Sequence, residues 1–180
     1  MPTINAYLKG ENMQKTKKGF TIIEVVLVLA IAGLIFLMVF VALPSLQRSQ
    51  RDTQRRNDLS RFTTALTSYQ TNNSGKLPTA GITAKYTADA ASSCSKNTFC
   101  SAYFGTTEEE RTDPDGTEYK VAIIDKSANY VKPTTFDHVI YTVYNAKCGS
   151  DGAISSVTGA RKYAIVYKLE GSGYYCQDNS

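Results

Sequence analysis

Tryptophan is absent from the 180 residues, histidine occurs once, at position 138, and none of the four cysteines stands in a C-x-x-C pair. The missing pairs remove the spacing on which zinc ribbons and thioredoxin-like redox sites depend. There is no G-x-S-x-G, no H-E-x-x-H and no phosphate-binding glycine loop, so no familiar nucleophile, metalloprotease or nucleotide site is legible. His138 opens an expected strand and reads as a partly exposed sheet residue rather than a general base. The chain is therefore expected not to be an enzyme, with no catalytic residues, no cofactor and no metal.

Charge of one sign is also scarce. The formal net charge is +4, from 20 Lys and Arg against 16 Asp and Glu, and Met1 to Gly19 holds four of those lysines (Lys9, Lys15, Lys17, Lys18) against Glu11. Without that segment only +1 remains, whereas nucleic-acid binding calls for a basic patch or stripe on the folded domain. At roughly 100 to 200 residues per domain, the length allows one domain and an appendage.

What the sequence does have is one long apolar run. From Phe20 to Leu43 only Thr21 and Glu24 interrupt it. About 24 residues at 1.5 Å each are enough to cross a bilayer core of about 30 Å. The run exceeds the 7 to 15 or so apolar residues of a secretory signal, and no A-x-A cleavage pattern follows it. Lys15, Lys17 and Lys18 precede it and place the N-terminus in the cytoplasm by the positive-inside rule. Glu24 needs an explanation: a carboxylate at the bilayer centre costs about 2.5 to 3.5 kcal/mol on insertion scales, so it should either have a partner or snorkel to the interface.

The residues around Glu24 narrow the choice. The string KGFTIIEVVLVLAI resembles the class III signal of type IV pilins and related pseudopilins: basic residues, Gly, an aromatic, Thr, two aliphatics, Glu and an apolar helix. The resemblance implies that a prepilin peptidase cuts between Gly19 and Phe20 and methylates the new amine of Phe20. It also implies that Glu24, fifth in the mature chain, meets that amine on a neighbouring subunit, while an isolated subunit leaves Glu24 unpaired. Two charges that pair in a low-dielectric core offset part of their desolvation. The leader is longer than the shortest family leaders, and translation from Met13 would leave the short leader MQKTKKG.

Helical spacing continues beyond Pro44, a residue that removes an intrahelical bond and is expected to kink or open the helix. Leu59, Phe62, Leu66 and Tyr69 make one apolar stripe. Arg48 with Asp52, Asp52 with Arg56, and Asp58 with Arg61 stand at ion-pair spacing, each worth about 0.2 to 0.5 kcal/mol on a solvated helix. The arginines read as a solvated stalk rather than a DNA stripe. Stop signals at Asn72 to Pro78 end a helix of about 80 Å at 1.5 Å per residue.

The head follows. Thr79 to Thr112 reads as a connecting region with little regular structure, and DPDGTEYKVAIID as a turn at Asp113 to Gly116 before a strand from about Tyr119 to Ile124. This turn resembles one in some type II secretion pseudopilins, near which a loop can hold calcium, but the EF-hand pattern is incomplete because Gly116 arrives too early, so a plain turn is expected. HVIYTVYNA and KYAIVYKLE supply further strands. With no helices between them the strands are expected to pair antiparallel, their tyrosine rings packed and their hydroxyls in water.

The four cysteines follow the apolar run, which places them in an oxidising compartment. Three connectivities are open; Cys94 with Cys100 and Cys148 with Cys176 is favoured, and a bridged loop near the C-terminus is similar to the variable surface loop of many pilins.

The fold class expected is thus α+β: a leader over 1–19, a long helix over 20–73 (20–43 in the membrane or filament core, 44–73 amphipathic), and a small antiparallel β head over 74–180. The resemblance implies a self-assembling pilin used for adhesion, motility or DNA uptake. Its partners would be prepilin peptidase, the assembly platform and its motor ATPases, with the membrane before assembly and nucleic acid only in a competence pilus. It would start as a single-pass protein of the cytoplasmic membrane and end in a surface filament. A type II secretion pseudopilin and a membrane-anchored binding module that does not polymerise are the alternatives.

Overall fold

A computed structural model describes residues 19–79, 82–83, 91–125, 130–159, 161–171 and 173–179; most of the expected leader lies outside them. The chain divides into two compact units, Met1–Leu43 and Pro44–Ser180.

Helix α1, Ile22–Asn72, runs 51 residues, and Pro44 stands within it without a break in helical backbone. In the first unit its side chains have no core to enter: exposure of the large apolar residues runs from 90% at Phe20 to 43% at Leu43. It is the one helix among the described residues long and apolar enough to cross a membrane. In the second unit the helix buries one stripe, Leu59, Phe62, Ala65 and Leu66, with Tyr69 partly buried beside it. The helix stops where Ser74 and Gly75 take left-handed φ values of 56° and 79° and the Gly75 N–H bonds Gln70 O at 2.7 Å. This left-handed pair closes the last turn in the usual helix-ending manner. A Cβ on Gly75 would also lie 2.3 Å from the Arg161 side chain.

The head is built on a six-stranded sheet in the order β1-β3-β4-β7-β8, with β2 also on β3. Its strands are β1 (Ile82–Thr83), β2 (Ser92–Ser93), β3 (Lys120–Ile124), β4 (Val139–Tyr144), β7 (Tyr163–Lys168) and β8 (Tyr174–Asp178). A second, two-stranded sheet pairs β5 (Ala146–Cys148) with β6 (Ile154–Ser156). The α+β class stands, but the large sheet is mixed rather than antiparallel. β3 and β4 are parallel, Lys120 opposite Val139 through Ile124 opposite Val143, and β1 is parallel to β3. Absence of a helix between strands does not forbid this: the chain between Ile124 and Val139 is long enough for a parallel crossover, which needs about a dozen residues.

Both faces of the sheet are covered, so its strands alternate between two cores. Val121, Ile123, Ile140, Ile165 and Tyr167 pack with the helix stripe, while Ala122, Ile124, Tyr141, Val143 and Val166 face a second cluster with Ile154 and Cys176. The Thr79–Thr112 region is more structured than expected. It holds β2 and helical turns at Cys94–Lys96, Cys100–Phe104 and Glu109–Arg111. These turns carry Phe99 and Phe104 against Phe62, with ring centroids 5.5 and 5.1 Å apart and near-perpendicular planes. Disulfides join Cys94 to Cys100 and Cys148 to Cys176, their Cα atoms 5.3 and 5.9 Å apart.

Polar groups inside the head corrected two further expectations. Tyr119, Tyr141, Tyr163 and Tyr167 are wholly buried instead of reaching water. Tyr119 donates to Asp58 at 3.0 Å, Tyr141 to Asp137, and Tyr167 to Asp113 at 3.0 Å. Burial pushes the Tyr119 and Tyr167 hydroxyls well above the ordinary phenol value, and the nearby carboxylates add to it. The stalk pairs Arg48 with Asp52 and Asp52 with Arg56 do not form; only Asp58 with Arg61 does, at 2.8 Å. Asp52 instead accepts the backbone N–H groups of Glu170 and Gly171 at 3.1 and 3.0 Å. Arg48 reaches Glu170 at 3.9 Å from an exposed position, where an ion pair contributes little.

The deepest charge is Arg55, with no exposed surface. Its guanidinium donates to Asp113 through Nε at 2.7 Å and Nη2 at 2.6 Å, and through Nη1 to Asp52 and Glu170, both at 2.9 Å. Burial alone would lower its pKa, but the bonds to Asp113, Asp52 and Glu170 more than offset this and hold it above the ordinary value. Arg51 forks onto Glu170 at 2.8 and 2.6 Å. Those Arg51 bonds, opposed by partial burial and reinforced by Arg55, bring the Glu170 carboxyl down to about 2.

Breaking a buried pair leaves an uncompensated charge and costs about 3 to 5 kcal/mol. Arg55→Ala should lower head stability by that order, read as a fall in the urea midpoint of the full chain in detergent. Acid should act on the same network. Glu170 binds its proton more weakly when folded than when unfolded, so its contribution is complete above the ordinary carboxylate pKa of about 4.3 and is lost as pH falls towards 2. A pH titration of the urea midpoint should therefore decline below about pH 4 in the wild type, and decline less steeply in Glu170→Gln.

Candidate processing and assembly site

The segment that carries the signal is simple in form. Gly19 and Phe20 precede α1, both exposed, and Thr21 lies immediately before Ile22, the first helical residue. A Cβ built on Gly19 meets nothing within 4 Å. Among the described residues no neighbour therefore demands glycine here.

Glu24, in the first turn, meets no cation among the described residues, yet its carboxylate is hydrogen-bonded. Its Oε2 accepts the Thr21 backbone N–H and the Thr21 hydroxyl, both at 2.9 Å. In return the Glu24 N–H points to Thr21 Oγ1 at 3.4 Å and to Thr21 O at 3.1 Å. This reciprocal arrangement is a capping box, in which residues three apart satisfy two of the donors that every helix start leaves without a partner. A Thr-x-x-Glu string before an apolar run was its sequence signal. The box lies C-terminal to the Gly19–Phe20 bond, so hydrolysis of that bond leaves every one of its groups in place. Both bonds fall on one oxygen, which fixes the carboxylate in orientation. The negative group also sits at the positive end of the helix dipole, a favourable position.

Residues 14–40 match the family model of the prokaryotic N-terminal methylation motif. The chain carries the class III signal of type IV pilins and pseudopilins. The match spans Gln14 to Phe40, hence Lys15, Lys17, Lys18, Gly19, Phe20, Glu24 and most of the exposed apolar helix, and leaves the head outside it. No curated protein and no solved structure matches the chain.

Pro44, the expected kink, lies beyond the motif, at the first residue of the second unit. The other group with ligand chemistry is in the head. Asp113, Asp115 and His138 bring their ligand atoms within 4.8 Å of one another. His138 adopts a left-handed φ of 58°, and its Nε2 lies 2.6 Å from Asp115 Oδ2. Burial raises the Asp115 pKa, but the bonds to His138 and Thr117 prevail and bring it to about 2. A cation already stands there, because Arg55 Nη2 lies 2.6 Å from Asp113 and 3.8 Å from Asp115. The arrangement ties the turn at Asp113 to the helix and to the start of β4. Sequence spacing showed the two aspartates but not the arginine, which arrives from 58 residues away.

The capping box yields a measurable effect. Thr21→Val removes the hydroxyl partner of Glu24 and should destabilise the helix start by about 1 kcal/mol. The loss should appear as roughly fivefold weaker hydrogen-exchange protection confined to the first-turn amides in detergent.

Proposed function

We propose that the chain is a structural subunit of a type IV pilus. A precursor held in the cytoplasmic membrane, N-terminus in the cytoplasm, is cut by prepilin peptidase between Gly19 and Phe20, and the Phe20 amine is methylated. The assembly platform, driven by its motor ATPases, then adds the subunit to a filament of like helices, with the head outside. The observation that carries this reading is the methylation motif at residues 14–40 coinciding with a helix whose apolar side chains are exposed on every side. Such a helix is stable only in lipid or among other helices, and a filament core supplies the latter.

The capping box refines the role of Glu24. In lipid, Thr21 supplies part of what water would have given the carboxylate, so the single subunit is tolerable but not optimal. Docking brings the Phe20 amine of a neighbour to a carboxylate that is already oriented. A pair of opposite charges in a low-dielectric core regains part of its desolvation cost, and the geometry of that contact fixes register.

Two substitutions and one isolation test the proposal. Gly19→Val should leave an uncut precursor, and since the site has room for the side chain, failure of cutting would reflect the peptidase rather than misfolding. Glu24→Leu should be cut normally, as N-terminal sequencing would show, yet yield far fewer sheared filaments and more membrane-retained subunit. Normal filament yield from the cut variant would overturn the assembly role. Mass spectrometry of filaments sheared from native cells should find this chain, beginning at N-methylated Phe20, as their main component; its absence there would instead favour the pseudopilin or non-polymerising reading.

A further inference from the structure

We propose that the head docks on the head of a second copy of this chain through two oppositely charged flanks, Glu108 and Glu109 on one side of α1 and Arg161 and Lys162 on the other. This docking rests on the pilus reading and names the surface by which one copy meets the next. At about 100° per residue, Arg61 and Thr67 stand about 120° to either side of the buried stripe through Phe62 and Leu66. Beside Arg61 lies the turn Glu109–Arg111: Arg61 Nη2 donates to Glu110 O at 3.1 Å. Beside Thr67 lies the start of β7: its hydroxyl is 3.4 Å from that of Tyr163, and Gln70 Nε2 donates to Arg161 O at 3.1 Å. The acidic turn and the basic one thus flank the helix on opposite sides. From the level of Arg61 to that of Gln70 the offset along the axis is about 14 Å, at 1.5 Å per residue.

These four charges find no counter-charge inside the chain. Glu108 and Glu109 are exposed and form no ion pair with any described residue. The arginines of that flank already have acids, Arg61 in Asp58 at 2.8 Å and Arg111 in Glu118. Arg161 is exposed without an ion pair among the described residues, and Lys162 Nζ donates to the neutral Asn179 carbonyl at 2.7 Å. Asp178, an acid of the same edge, is engaged by the Cys148 N–H at 2.5 Å. Both flanks are nevertheless held. The Thr106 and Thr107 N–H groups bond Glu110 Oε2 at 2.8 and 3.2 Å, and the Arg161 carbonyl accepts Asn179 Nδ2 at 2.8 Å as well as Gln70. Charges fixed beforehand lose little freedom on docking. Flanks of unlike sign also select a symmetry. Across a two-fold axis each would face its own kind, which repels, whereas a head-to-tail contact pairs acid with base and repeats as an open helical array. The apolar helix, exposed all round, makes no such selection.

The test is charge reversal and rescue in cells that assemble the wild-type chain. Glu108→Lys with Glu109→Lys, and separately Arg161→Glu with Lys162→Glu, should each lower the yield of sheared filaments at least about fivefold, by setting like charges face to face. Cutting before Phe20 and the Tm of the chain in detergent should stay as in the wild type. Uniting all four changes restores complementarity and should bring the yield back to within about twofold, a recovery that damage to the fold would not show. If a reversed chain fails to fold, the wild type still decides: shear resistance of its filaments should fall between about 0.1 M and about 1 M salt, where the screening length shrinks from about 10 to about 3 Å. Unchanged yield in both reversals, no recovery in the folded fourfold variant, or salt-independent shear resistance would overturn the docking surface while leaving the pilus reading intact. Absence of filaments from the wild type would overturn both.

Discussion

The head is organised around one guanidinium. Arg55 leaves the helix fully buried and is met by Asp113 from the turn before β3, by Asp52 one turn back, and by Glu170 from the loop between β7 and β8. Segments 58 and 115 residues away in sequence are thereby fixed to the same point on the helix. Taking such a group out of water costs several kcal/mol, and only a complete set of partners offsets that. Completeness is visible in the surroundings. Tyr167 donates its hydroxyl to Asp113, the backbone N–H groups of Glu170 and Gly171 bond Asp52, and Arg51 supplies a second positive charge for Glu170. The ring of Phe136 lies 4.5 Å from the Arg55 guanidinium carbon and closes it from solvent.

The first unit presents the opposite problem, a helix whose apolar side chains are left exposed by the described residues. Here the polar groups are few and local. Thr21 and Glu24 satisfy each other across one turn at the helix start. The carboxylate is thus held by hydrogen bonds but not neutralised by a cation among the described residues. The methylation motif lies within this unit and does not extend into the head.

The helix was legible because its signals are local. Apolar continuity over Phe20 to Leu43, the three-and-four spacing of Leu59, Phe62, Leu66 and Tyr69, and the Asn-Ser-Gly stop are all short-range, and the structure ends α1 at Asn72. The strands were recognisable from their Val, Ile and Tyr content for the same reason. Strand direction was not, because the choice between parallel and antiparallel for β3 and β4 depends on the path of a connection that carries no hydrophobic period of its own. Nor were the ion pairs. Helical spacing offered Asp52 to Arg48 and Arg56, whereas Asp52 faces the head and gives both oxygens to partners there.

The sequence by itself determined the membrane-length helix, the signal around Gly19, Phe20 and Glu24, and the α+β class, since each rests on composition or on residues within a few turns of one another. Only the tertiary structure decided the mixed sheet and the burial of Arg55 among three acids. The adjacent Arg55 and Arg56 read alike in sequence, yet Arg55 is buried and Arg56 exposed. Their environments differ because counter-charges come from segments that only the folded sheet brings near, and in a buried site the partner, not the residue, sets the energy.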